Sequence, residues 1–382
     1  MIPSYRRQFN GAWSPEKYRR FLEIIEQRCG EPVQFRHSET PCFFPRELIH
    51  RMARYGREMS ERLLADPQYQ RDSAEAVPAR WRVPNEAPRP LFVQADFGLD
   101  ENLNPQLVEI QGFPSLYAYQ VLLTEAYREA YNVELPVFMP DDYMAELRRA
   151  IVGDCDPENV VLLEIDPWHQ KTRHDFLLTE RWLGVRTVDI ASVRKEGRRL
   201  WHDGKPIHRI YNRTIVDELE RRGIHLGFDF RDDLDVEWAG HPNWFFRLSK
   251  FSLPYLKHPA APPAHFLSEP PPIPEDYVLK PLYSFAGLGV IVGPTREQIE
   301  AIPPERRRDY ILQKRVNFRP VIETPHGMTR VEVRIMYIWQ QEMRPVNTVV
   351  RMGRGAQMGV DHNKSMEWVG ASAAFLGENA NA

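Results

Sequence analysis

Hydrophobic residues recur every three to four positions over two early stretches. In residues 15–29, Tyr18, Phe21, Leu22 and Ile25 fall on one helical face, and residues 46–65 also read as a helix. Residues 71–90 are polar and interrupted by prolines, the composition of a connecting loop. The period then shortens. LFVQADFGL (91–99) and QLVEIQ (106–111) are short apolar runs joined by DENLNP, which predicts a β-hairpin. A helix is expected over 115–132. Beyond it the apolar run 159–166, the helical pattern 174–184 and the strands 185–190 and 207–213 alternate, as they do around a parallel sheet. Residues 259–276 are dense in proline and therefore stiff, either a linker or a strap across a surface. After them YVLKPL, GVIVG, YILQKRV, RVEVRIMYIW and PVNTVVRM predict β-rich, mostly antiparallel structure.

The strand 106–111 departs from its own apolar pattern. Glu109 and Gln111 lie two residues apart, so a carboxylate and an amide project from one face, and a Gly-Phe-Pro turn ends the strand. Asp96 on the preceding strand comes within reach through the hairpin. Asp96, Glu109 and Gln111 together would offer hard oxygen ligands of the kind Mg²⁺ takes; a polar pair that satisfies itself at a strand end is the other reading.

A second unusual stretch is YVLKPLYSFAGLGVIV (277–292). Lys280 ends an apolar strand, and a loop with Ser284, Ala286, Gly287 and Gly289 follows before the next strand. Glycines let backbone N–H groups approach phosphate oxygens, and the lysine adds a cation beside them. The flanking strands exclude a P-loop, which leads into a helix, and a plain turn is the competing reading. YILQKRV carries Gln313, Lys314 and Val316 at a strand edge that could face an adenine ring. Lys250 precedes Lys280 by thirty residues, and Arg334 alternates with Glu332 on one strand face. Arg351, Arg354 and Asn363 fall late in the β-rich region, a combination suited to anions or to surface salt bridges.

Charge and composition narrow the rest. The net charge of −3 gives no whole-chain basic footprint for nucleic acid. Cys29, Cys42 and Cys155 are scattered and odd in number, as expected of reduced thiols in a cytoplasmic protein. The N-terminus lacks the apolar core of a signal peptide, and no run has the length of a membrane helix. The acidic run Asp229, Asp232, Asp233 and Asp235 lacks the glycine of a calcium loop. No histidine pair has zinc spacing, and no nucleophile elbow occurs.

A strand ending in Lys-Pro, a Gly-rich hairpin and an ILQKRV strand about thirty residues later resemble the nucleotide half of an ATP-grasp ligase. Asp96 and Glu109-Ile110-Gln111 are similar to that family's metal motif, an Asp followed on the next strand by Glu-x-Asn. Here the motif precedes the Lys-Pro strand, an order that resembles the circularly permuted branch containing glutathionylspermidine synthase. QGFPS (111–115) and DGKPIHRIYNRTI (203–215) resemble further stretches of that branch. The resemblance covers about residues 90–370. It implies a mixed α/β fold with a helical N-terminal extension (1–85), displaced metal-binding strands and a helix (86–150), an α/β preATP-grasp-like subdomain (151–245) and a nucleotide-binding lobe (246–382). It further implies ATP and Mg²⁺ as cofactors, small-molecule carboxylate and amine substrates, no membrane partner, and amide formation through an acyl phosphate. Asp96, Glu109 and Gln111 would hold the metal. Lys250, Lys280, Ser284, Gly287, Gly289, Gln313, Lys314 and Val316 would hold the nucleotide, with the loop 283–289 closing over its phosphates. Arg334 or Arg351 would stabilise the charge that builds on the reacting carbon, and Arg213 would hold a substrate carboxylate. Two positions depart from the family pattern. Gln111 stands where asparagine is usual, and Gln94 where an arginine often precedes the Asp by two residues, so either another arginine supports the transferred phosphoryl group or the reaction differs. A phosphotransferase on the same scaffold and a non-catalytic nucleotide-binding module are the alternatives.

Overall fold

The run 91–99 becomes β1 (Phe92–Leu99), buried along its whole length and paired antiparallel with β2 (Pro105–Gln111). The structure, a computed structural model, describes residues 1–284, 287–355, 358, 363 and 365–378. Phe285 and Ala286 of the expected phosphate loop lie outside the described residues. Asp96 stands opposite Glu109 and Gln94 opposite Gln111, and a bulge follows directly after Asp96. Bulges re-aim the side chains beside them.

The expected parallel sheet follows. It contains β3 (Val160–Glu164), β4 (Arg186–Asp189), β5 (Arg209–Asn212) and β6 (Glu237–Ala239), in the order β6-β5-β3-β4, with every pair parallel. All five residues of β3 are buried, as a central parallel strand covered on both faces requires. The proline-dense segment is a strap rather than a free linker. Its β7 (Ala264–Phe266) forms the edge of an antiparallel sheet with β8 (Tyr277–Pro281), β9 (Ile291–Val292) and β10 (Tyr310–Lys314), ordered β7-β10-β8-β9.

The last long strands return to the hairpin. β11 (Gly327–Trp339), β12 (Met343–Gly353) and β13 (Gly370–Ser372) complete a sheet ordered β13-β12-β11-β1-β2. Its two faces differ sharply. Val93, Ala95, Phe97, Val333, Ile335 and Tyr337 alternate onto one face and pack against Ile49, Met52, Ala53 and Met59 of the helix Arg46–Ala65. That helix comes so close that a Cβ at Gly56 would meet Tyr337 Oη, which itself donates to Ala53 O at 2.9 Å. The opposite face carries Gln94, Asp96, Glu109, Glu332, Arg334 and Arg351.

Several elements differ from the sequence expectation. The helix Pro67–Glu75 runs into the stretch read as a loop from 71. The helix expected over 115–132 begins only at Tyr119. The helix Tyr143–Val152 and the three-stranded meander within 194–207 have no counterpart in the sequence reading. Among the described residues no helix is long and apolar enough to cross a membrane.

Candidate functional site

A cavity of about 670 Å³ opens where the three sheets meet. One wall is the polar face of the central sheet. Arg334 lies opposite Asp96 in the ladder, Asp96 opposite Glu109, and Arg351 opposite Glu332. Asp96 is held by two arginines. Arg334 Nε and Nη2 donate to its two oxygens at 2.6 and 2.7 Å, and Arg351 Nη2 adds a third bond at 2.5 Å. Burial alone would push this carboxyl up, but the two guanidinium charges outweigh it and hold it at about 2. Arg351 also pairs with Glu332 at 2.7 Å. Burial raises Glu332 above its ordinary value despite that arginine, and the neighbouring Asp96 charge adds to the rise.

The wall opposite belongs to the antiparallel sheet. β2 is an edge strand, and its outward carbonyls need donors. Lys280 Nζ donates to Val108 O at 2.8 Å and to Gln313 Oε1 at 2.6 Å, while Gln313 Nε2 donates to Leu107 O at 3.1 Å. The two sheets are thereby stitched together at the residue next to Glu109. Burial lowers the Lys280 ammonium to about 8, with Glu109 opposing the shift. Lys250 Nζ donates to Ser284 O at 2.7 Å and stands 3.4 Å from Glu109 Oε2. Burial raises the Glu109 carboxyl, but Lys250 and Lys280 bring it below its ordinary value. Val278, Val292 and Val316 give this end an apolar lining.

The third wall is formed by the C-terminal ends of the parallel strands, where ligands of open α/β sheets bind. Arg213 continues the ladder beyond β5, its N–H donating to Leu163 O at 2.9 Å. Its guanidinium is buried and lies over the Phe113 and Phe176 rings. Nη2 reaches Thr172 Oγ1 at 3.5 Å, while Nε and Nη1 have no hydrogen-bond partner. An unpaired buried donor costs about 1–3 kcal/mol, more when charged. Glu164, the last residue of β3, shares this end; burial raises its carboxyl to about 8 against the pull of Arg213.

The residues that the resemblance assigns to metal, nucleotide and substrate converge on this one cavity, with one exception. Asp96, Glu109, Gln111, Lys250, Lys280 and Ser284 line it, as do Gly287, Gln313, Lys314, Val316, Arg213, Arg334 and Arg351. Gly289 does not. At φ +72° it packs on Pro281, whose Cγ a Cβ would meet at 3.0 Å, so glycine serves the turn itself. Lys314 reaches the cavity, although its ammonium is engaged outside by Asp276 at 2.7 Å. Arg354 and Asn363 stand apart from the cavity. Asn363 Oδ1 accepts from the N–H groups of Arg354 and Gly355, and Arg354 itself bonds Thr329 and Glu367 O.

Among the lining residues to which the sequence reading gave no role are Glu332, Glu164 and Phe318. Alternation with Arg334 already put Glu332 on the functional face. Glu164 carries a signal too, a carboxylate ending an all-apolar strand. Phe318 carries none, for its place depends on Gly98, where a Cβ would lie 2.4 Å from its ring.

Whole-chain comparison bears on the scaffold. The chain shares the fold of a glutathione synthetase-like effector from Globodera pallida, solved in its apo form. The TM-score is 0.62 at 12% identity, over 95% of this chain and 96% of the other. No family model matches the sequence. No curated protein matches it. The common ground is therefore a mixed α/β architecture.

Proposed function

We infer that the protein is an ATP-dependent carboxylate–amine ligase built on a circularly permuted ATP-grasp scaffold. One observation carries this reading. Lys280, on the Lys-Pro strand of the antiparallel sheet, is bonded to the carbonyl of Val108, beside Glu109 on the hairpin. The two motifs lie far apart in the chain and in permuted order, yet they face one cavity. The likeness to a glutathione synthetase-like structure supports the scaffold.

The electrostatics favour a polyphosphate. Lys250, Lys280, Arg334 and Arg351 face Asp96, Glu109 and Glu332, so the cluster carries more cations than carboxylates. Among the described residues no group of three or more His, Cys, Asp or Glu side chains is arranged to hold a metal ion alone. The oxygens of Asp96 are already taken by arginine, and the Gln111 amide lies against Gln94 Oε1 and the Arg334 guanidinium. A bare cation finds no free ligand set here. A cation arriving with a triphosphate does, because the phosphates give the arginines and lysines new partners and release the carboxylates. Asp96, Glu109 and Gln111 would then hold Mg²⁺, which supplies charge neutralisation to the phosphates.

The chain's own groups account for the remaining work. Lys250 and Lys280 bind phosphate oxygens, and Val278, Val292 and Val316 enclose the base. Arg334 bonds Gln94 Oε1 at 2.9 Å, which brings its guanidinium beside the position where the family pattern has an arginine. It is the group suited to support the transferred phosphoryl. Arg213 orients a substrate carboxylate. An oxygen of the acid to be activated attacks the γ-phosphorus and ADP leaves, giving an acyl phosphate. The amine, having lost a proton, then attacks the acyl carbon and inorganic phosphate departs. Arg351 stabilises the oxyanion between these states.

The test is an ADP-release screen against paired acids and amines, with phosphate measured alongside. Phosphate release that depends on the amine supports the ligase. A stable phosphorylated acid with no amine requirement would reassign the protein as a phosphotransferase. Failure of an ATP analogue to bind would leave neither.

A further inference from the structure

Two features at the parallel-sheet end of the cavity remain unused by the phosphate chemistry. Arg213 is only 3% exposed, yet Nε and Nη1 have no partner. Glu164 is 4% exposed, on the adjacent parallel strand, and its Oε1 accepts only from the N–H of Ile165 at 2.8 Å. The two residues are neighbours across the ladder, because Leu163 O receives the Arg213 N–H. Among the described residues they nevertheless do not bond each other, and the side-chain bond of Arg213 is the long contact to Thr172. A folded protein normally pairs buried groups of opposite charge or replaces them. Here a cation and a carboxyl are buried together, left apart, and turned to the same cavity.

We propose that this end of the cavity is a subsite for a zwitterionic α-amino acid head group, free or terminating a larger substrate, with its carboxylate on Arg213 and its ammonium on Glu164. This names the substrate class for the ligase reading and rests on it. The two charges of such a head group lie on atoms bonded to one carbon, which suits receptors placed on adjacent strands. The guanidinium lies 5.0 Å from the Phe113 ring centroid and 5.4 Å from that of Phe176, contacts that engage its face rather than its N–H groups. Glu218 also faces this end and pairs with Arg222 at 3.1 Å. The groups acting on Glu164 are Arg213 from the end of β5, Glu218 from the helix Val216–Arg222, and Asp189 from β4. Burial keeps Glu164 protonated at neutral pH, and only Arg213 and the Ile165 N–H favour its ionised form. An arriving ammonium reverses that balance, so binding releases a proton from Glu164.

The experiment is calorimetry on the full chain with three probes of one carbon skeleton. L-norvaline carries both charges, pentanoate lacks the ammonium, and butylamine lacks the carboxylate. Norvaline is expected to bind at least tenfold tighter than either. In buffers of different ionisation enthalpy at pH 7 it should release about one proton. Glu164→Gln, close to isosteric, should reduce norvaline to the affinity of pentanoate and abolish the proton release. Arg213→Gln should reduce it to that of butylamine. Thermal melts of both variants establish that they fold. Equal affinity for norvaline and pentanoate, unchanged norvaline binding by Glu164→Gln, or no binding of any probe at 10 mM would overturn the proposal. Binding of a non-hydrolysable ATP analogue is measured separately: if norvaline binds and the analogue does not, the subsite stands and the ligase reading falls.

Discussion

Arg334 grips Asp96 from the neighbouring strand at two points, 2.6 and 2.7 Å, with side-chain exposures of 8% and 3%. A paired fork of this kind fixes direction as well as charge. Removing one partner strands the other in a dry place. Arg334→Ala should therefore cost about 3–5 kcal/mol in denaturant unfolding. Arg351→Ala should cost less, because Arg351 is 22% exposed and leaves Asp96 its bidentate partner. Arg334→Lys should not restore the loss, since a point charge cannot reproduce the fork.

Glu109 is the carboxylate of the cluster with most room, held by Lys250 at 3.4 Å rather than by a short bond. Glu109→Gln should leave stability within about 1 kcal/mol of the wild type and lower Mg²⁺-ATP turnover at least a hundredfold. Gln111→Asn, which keeps the amide and changes only its reach, should be the mildest substitution in the site. A steady-state assay of ADP release decides both, and full turnover in Glu109→Gln would remove the metal assignment.

Lys280 shows stability and function pulling apart. Its burial lowers the ammonium to about 8, a sign that the charged form is unfavourable in the empty site. Lys280→Met removes that penalty but leaves Val108 O and Gln313 Oε1 without their donor. The two effects oppose each other, so the melting temperature should change little. Affinity for an ATP analogue should fall more than tenfold, as titration calorimetry would show.

Gly98 is where the hairpin makes room for Phe318. A Cβ there would come within 2.4–2.5 Å of three ring atoms. Gly98→Ala should destabilise by about 1–3 kcal/mol, the usual cost of overpacking, and weaken nucleotide binding severalfold by displacing a ring that lines the cavity. Phe318→Ala in the same chain should recover most of the stability. A double-mutant cycle measures that coupling.

Glu164 sets a pH signature. Its folded value of about 8 lies above the ordinary 4.5, so the folded state binds the extra proton between those limits. Its contribution is complete below the unfolded value and is lost as pH rises through about 8. Stability measured from pH 5 to 9 should fall with a slope that Glu164→Gln flattens. An unchanged slope would mean that Glu164 is not buried as described.

Short-range patterning carried the sequence reading where neighbours in the chain are also neighbours in space. The hairpin 92–111 was legible because its turn and its misplaced polar pair lie within one local unit. The parallel sheet was legible because β3 is continuously apolar between turn signals. The strap 259–276 was half legible: proline density excludes a helix, but only pairing with β10 fixes Ala264–Phe266 as a strand. The pairing of Cys42–Pro45 with Ala374–Gly377 left no local trace, since its partner lies at the other end of the described chain. The Asp96–Arg334 pair was missed as a pair for the same reason, though both residues were singled out. Asp96, Glu109, Arg334 and Arg351 each stood out as a polar residue on an apolar strand, and only the third dimension said which partner each had chosen.

The position of β1 between β2 and β11 has a consequence for biosynthesis. The hairpin emerges early, but the strand that covers its open edge spans residues 327–339 and comes near the end of translation. At bacterial or eukaryotic elongation rates of about 5–20 residues per second, that edge waits roughly ten to fifty seconds. Through this interval a long apolar strand presents unpaired backbone groups, the situation in which nascent chains recruit one another. A chain that stops before residue 327 would carry the strands of the other two walls but leave the hairpin edge uncovered. The cell's handling of this protein should thus depend on holdase chaperones acting on residues 92–111 until the last strands arrive.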